Sequence, residues 1–103
     1  MTNLQLNLEP DTHKKFMNIL SMYSNEDTFF KNIINYQINL LQSEIINIRN
    51  DLDDLEKKYG MTSTKFYKLY KDKKTDDSED MLMWVGLYEM FLENDKKIVA
   101  LQK

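Results

Sequence analysis

The side chains best suited to acid–base or metal chemistry are sparse in this chain of 103 residues. The only histidine, His13, lies beside Lys14 and Lys15 in a short amphipathic stretch, which favours a surface position over a role as a base or ligand. Carboxylates cluster at residues 51–54, where a solvated helix face is expected, and at residues 76–80, where the glycine and ligand spacing of a calcium loop are missing. The absence of cysteine excludes thiolate metal sites and disulfides.

Motifs that cradle phosphate or build a nucleophile are also missing from the sequence. It contains no glycine-rich phosphate loop, nucleophile elbow or paired His-carboxylate motif. We therefore predict that the protein is not an enzyme and uses no cofactor, metal or small-molecule substrate. The longest apolar stretch, residues 81–92, contains Glu89 and is too short to span a bilayer, and the first residues do not resemble a signal peptide. The expected location is the cytoplasm, away from membranes.

The middle of the chain contains eight apolar residues at alternating steps of four and three. This spacing keeps a narrow stripe on one side of a helix, which is the pattern of a coiled-coil seam. So narrow a seam needs a second long helix to cover it. We therefore predict a long helix over about 28–59 and a homodimer. The predicted dimer seam comprises Ile34, Ile38, Leu41, Ile45, Ile48, Leu52, Leu55 and Tyr59.

Residues 2–8 alternate between apolar and polar side chains, as in a strand with one buried face. An isolated terminal strand needs a partner, and the same strand of a second copy is the expected one. Pro10 then suits the first turn of a helix. The polar face of this predicted strand consists of Asn3, Gln5 and Asn7.

This order of elements resembles the ribbon–helix–helix family of repressors and antitoxins. The resemblance covers Leu4 to about Ile38, through LNLEPDTHKKFMNIL and TFFKNIINYQI. It implies paired strands in the DNA major groove, with Asn3, Gln5 and Asn7 facing the bases, where amide side chains can pair with adenine. The alternative is that these three side chains form only the solvated face of the ribbon.

Charge argues against tight DNA binding by this chain alone. The net charge is −3, and Arg49 is the only arginine among 14 basic residues. Glu26 and Asp27 lie where the family begins its second helix and binds phosphate, and both would repel that anion. Operator binding is therefore expected to be weak unless a toxin supplies positive charge.

Most of the chain's aromatic residues lie in the rear half, LEKKYGMTSTKFYKLYKDKKTDDSEDMLMWVGLYEMFL. The block KKYGMTSTKFY, an acidic linker and MLMWVGLYEM together resemble the tail of a class of prokaryotic antitoxins. The resemblance implies that this half binds and neutralises a cognate toxin protein. Alternatively, the aromatic side chains fold back and complete the core of the dimer itself. The candidate toxin contacts are Phe66, Tyr67, Tyr70, Trp84, Tyr88 and Phe91.

The predicted fold is mainly α with one short N-terminal strand. It is a ribbon–helix–helix-like dimer with a long coiled-coil second helix and C-terminal helices. The regions are a ribbon–helix–helix-like dimerisation region at 1–38, the long helix at 28–59 and a partner-binding region at 60–103. The predicted function is that of an antitoxin that also represses its own operon. The alternatives are a free-standing dimeric ribbon–helix–helix repressor and a coiled-coil scaffold without DNA binding.

Overall fold

The computed structural model describes residues 3–103, and every regular element in that range is a helix. The elements are α1 (Pro10–Leu20), α2 (Glu26–Tyr59), α3 (Ser63–Lys71) and α4 (Glu79–Gln102). Within this range, no helix combines the length and hydropathy needed to cross a membrane. The prediction of long helices is confirmed, and α2 begins two residues earlier than the predicted start at about residue 28.

The predicted N-terminal strand is wrong. Residues 3–9 have no regular secondary structure, so no ribbon forms and the ribbon–helix–helix-like fold is not present in the described residues. A strand exists through its hydrogen-bonded ladder with a neighbouring strand, and no segment of residues 3–103 offers one. The alternating pattern supplied an apolar face but no backbone partner. Thr2, where the predicted strand begins, lies outside the described residues.

Side chains and one glycine set the helix boundaries. The Asn25 side-chain oxygen accepts a hydrogen bond from the Thr28 N–H at 2.8 Å, which caps the start of α2. Gly60 follows the last residue of α2 with a φ of 66°, a left-handed conformation that glycine adopts without steric cost. Thr62 caps α3 through the Lys65 N–H at 3.2 Å, and Ser78 caps α4.

The chain divides into two compact units, of which unit 1 ends at Asn35 and unit 2 is Tyr36–Lys103. Unit 1 contains α1 and the beginning of α2, and its buried apolar side chain is Phe29. The rings of Phe16, Tyr23 and Phe30 surround Phe29, with centroid distances of 5.4, 5.2 and 5.1 Å. These edge-on contacts form a small aromatic cluster that leaves much of the unit's apolar surface in water.

Unit 2 has the larger core, formed where α3 and α4 pack on the C-terminal part of α2. Its buried cluster is Ile48, Leu52, Leu55, Phe66, Trp84 and Val85. Helix α4 runs antiparallel to α2, as two polar contacts show. Asn94 donates to the Glu44 carboxylate at 3.0 Å, and Lys58 donates to the Asp80 carboxylate at 2.6 Å. The chain therefore supplies its own second long helix for this part of α2.

Candidate protein-binding site

Trp84 is the centre of the unit 2 core. Its side chain has no exposed surface, and its ring lies parallel to that of Phe66 with 4.0 Å between centroids. Tyr59 stacks on the indole as well, at 5.6 Å. The indole Nε1–H donates a hydrogen bond to the Ser63 hydroxyl at 2.9 Å. All of the hydrogen-bonding capacity of this side chain is thus satisfied inside the chain.

A polar network connects the Trp84 site to the side of α2. The Ser63 N–H donates to the Glu56 carboxylate at 2.8 Å, and Arg49 donates to the same carboxylate oxygen at 2.8 Å. Arg49 also binds Asp53 at 2.9 Å. Partial burial acts to raise the pKa of Glu56, but the hydrogen bonds from Ser63 and Arg49 outweigh it and hold that pKa below its ordinary value. The network fixes the start of α3 against α2.

Two carboxylates of the second acidic cluster, Asp76 and Asp80, have structural partners. Asp80 accepts hydrogen bonds from Lys58 and from the Tyr59 hydroxyl, and these lower the pKa of Asp80. Asp76 accepts the Ser78 N–H at 2.9 Å. No group of three or more potential metal ligands comes together within residues 3–103. These carboxylates therefore stabilise the loop before α4 and the beginning of α4.

The six predicted toxin contacts fall into two groups. Phe66 and Trp84 are 1% and 0% exposed, so they belong to the core and offer no surface to a partner of the folded unit. The other four form a row of neighbouring rings, with centroids 5.0–6.5 Å apart, that is half-buried except at exposed Tyr70. The row comprises Tyr70, Tyr67, Tyr88 and Phe91. Of the predicted residues, only these four can be reached from solvent.

The predicted dimer seam is also divided. Its C-terminal residues Ile48, Leu52 and Leu55 are buried, and their cover is the chain's own α3 and α4. Ile34 and Tyr59, at the two ends of the seam, are exposed. The remaining three residues, Ile38, Leu41 and Ile45, are half-buried. The C-terminal part of the heptad pattern thus packs within unit 2.

The three predicted base-reading residues, Asn3, Gln5 and Asn7, are all exposed. The leucines between them border an open groove of about 1620 Å³ in unit 1, together with Asn3 and side chains of α1 and the first turns of α2. The apolar lining of the groove is Leu4, Leu6, Leu8, Phe16, Met17, Leu20 and Phe30. The alternation in the sequence therefore places the leucines along a groove.

One exposed surface was not among the predicted site residues. We name it the outer face of α4, and it consists of Leu82, Met83, Gly86 and Met90. The three apolar side chains are 56%, 49% and 52% exposed. The sequence carried a signal for it, since apolar residues between 81 and 92 fall on more than one side of a helix.

Comparisons with family models, curated proteins and solved structures find no match for this chain.

Proposed function

We propose that this protein acts by binding another protein, and that it is an antitoxin which neutralises a toxin. The observation that carries the proposal is the amount of apolar side chain in contact with water on both units. In unit 1 it includes Leu4, Met22 and Ile33, and on unit 2 it includes the outer face of α4. Contiguous exposed apolar surface is typical of protein-binding sites. The resemblance of the rear half to antitoxin tails supplies the class of partner.

We further propose that two copies associate through unit 1. Leu4, Leu6, Ile33 and Ile34 are exposed there, and half of the residues that line the groove beside α1 are apolar. Removing such side chains from water is the main driving force for association. Because no ribbon forms, the proposal gives Asn3, Gln5 and Asn7 no role in reading bases.

The decisive experiment is growth of cells that express the neighbouring reading frame, with and without this protein. The expected result is arrest by that frame alone and recovery when this chain is present. A chain carrying Trp84→Ala is the destabilised control, because that substitution removes the centre of the unit 2 core. Growth without arrest, or arrest that the wild-type chain does not relieve, would exclude the antitoxin function.

A coiled-coil scaffold without DNA binding is the second candidate. The observation in its favour is α2, which is a helix of 34 residues. A scaffold would hold partners through α2 and would not relieve toxicity. The growth experiment therefore separates the two candidates.

A further inference from the structure

The outer face of α4 has the geometry of a docking surface for another helix. Met83 and Met90 lie seven residues apart, and Leu82 and Gly86 lie four apart, so these residues form one stripe over about two turns. The stripe points away from Trp84, which is on the opposite side of α4. Unbranched methionine side chains adapt to the shape of a partner.

No packing contact within residues 3–103 requires a glycine at position 86. It lies in the interior of a 24-residue helix, where glycine is unfavourable relative to alanine. A Cβ atom placed there would meet nothing within 4 Å, so no neighbouring side chain or backbone requires the glycine. Its backbone is instead open to the outside, between Leu82 and Met90. Glycine in such a position permits close approach of another molecule to the backbone.

The segment of α4 that contains this face, with the loop before it, is rich in carboxylates. Residues 75–95 contain seven carboxylates and no lysine or arginine. Asp80 is paired with Lys58, and Glu93 makes an exposed contact with Lys97 at 3.5 Å. The contact with Tyr67 is the main cause that raises the pKa of Lys71, and the charge of nearby Glu89 adds to the rise. Exposed pairs of this kind are weak, so Glu89 and Glu93 keep an acidic edge beside the apolar stripe.

We propose that the outer face of α4 binds a basic amphipathic helix of the partner protein. The apolar side of that helix packs on Leu82, Met83 and Met90, its lysine or arginine side chains lie opposite Glu89 and Glu93, and its backbone crosses α4 at Gly86. Charge complementarity selects such a partner over a second copy of this acidic face. The inference rests on the proposed function for the identity of the partner as a toxin.

The test is calorimetric titration of the full chain with a synthetic helical peptide that has leucines on one face and lysines on the other. The expected result is one peptide per chain. The paired change Met83→Gln and Met90→Gln keeps helix propensity and should weaken binding about fivefold or more. The paired change Glu89→Gln and Glu93→Gln should weaken it about threefold, and less at high salt.

The matched control is the pair Asp51→Asn and Asp54→Asn. It removes the same charge from exposed positions on α2 of the same unit and should leave peptide affinity unchanged. Gly86→Ala should weaken binding about fivefold. The Gly86 variant is expected to be more stable than the wild type, because the methyl group enters open space. Loss of binding therefore cannot come from unfolding.

Three results would overturn the inference: no binding of the peptide, equal loss in the Asp51/Asp54 control, or full affinity in Gly86→Ala. Different results would exclude the proposed antitoxin function. Peptide binding through this face without relief of growth arrest would exclude the antitoxin role and keep the surface. Relief of arrest by the wild type and by all face variants alike would keep the antitoxin role and exclude the surface.

Discussion

Replacing Ser63 by alanine tests whether the hydrogen bond to Trp84 is a main determinant of unit 2 stability. The change removes one hydroxyl and leaves the backbone N–H of residue 63, which binds Glu56, in place. The indole Nε1–H of Trp84 then loses its acceptor at 2.9 Å. Because Trp84 is fully buried, water cannot replace that acceptor without disturbing the core.

The expected loss of folding free energy comes from the indole N–H of Trp84, which is left without an acceptor. A buried polar group without a partner costs about 1–3 kcal/mol, whereas an exposed one costs little. The same loss should shrink to nearly zero in a chain that already carries Trp84→Phe, since that chain has no indole N–H to satisfy. A double-mutant cycle should therefore give a coupling energy of about 1–2 kcal/mol between the two positions.

The assay is urea unfolding followed by far-ultraviolet circular dichroism, because Trp84 is the only tryptophan and fluorescence fails in the double variant. Ser43→Ala is the matched control. It makes the identical substitution at an exposed position of α2 and should change stability by less than about 0.5 kcal/mol. If Ser63→Ala costs no more than this control, or costs the same with and without the indole, the reasoning is refuted.

Three further perturbations separate the core from the surface. The folded-state pKa of Glu56 is below its unfolded value, so its contribution is present above about pH 4.5 and is lost on acidification. The urea midpoint of Glu56→Gln should accordingly fall less than that of the wild type between about pH 6 and pH 3. Trp84→Ala should cost about 3–5 kcal/mol, while Tyr70→Ala, at an exposed ring, should cost less than about 1 kcal/mol in the same urea assay. Ile34→Asp should dissociate the proposed dimer in sedimentation equilibrium and leave the helix content unchanged. Leu52→Asp, in contrast, should unfold unit 2. Dimers that persist with Ile34→Asp would exclude unit 1 as the interface.

The helices could be predicted because their signals are local. The apolar spacing on α2, the glycine at residue 60 and the serine at residue 78 each act on the few residues around them, within α2, just after its end and at the N-cap of α4. The strand could not be predicted in this way. Alternation over residues 2–8 describes a face, while a strand needs a hydrogen-bonded neighbour that the sequence of one segment does not specify.

The sequence pattern also could not predict which helix covers the seam. The spacing of Ile48, Leu52 and Leu55 requires a second long helix. It does not specify whether that helix comes from another chain or from residues 79–102 of the same chain. Likewise, the aromatic residues of the rear half indicate either a core or an interface. Only the packing shows that Phe66 and Trp84 belong to the core and that Tyr70 faces water.

The uneven burial along α2 has a consequence for how this helix opens. Phe29 is buried near its beginning, and the next buried side chain is Ile48. Opening free energies follow local burial, so amides between these two anchors should exchange with deuterated water faster than those around Leu52. Hydrogen exchange would then show slow amides at the C-terminal end of α2 and fast amides in its middle, and among sites within α2 a protease would cut first in that middle.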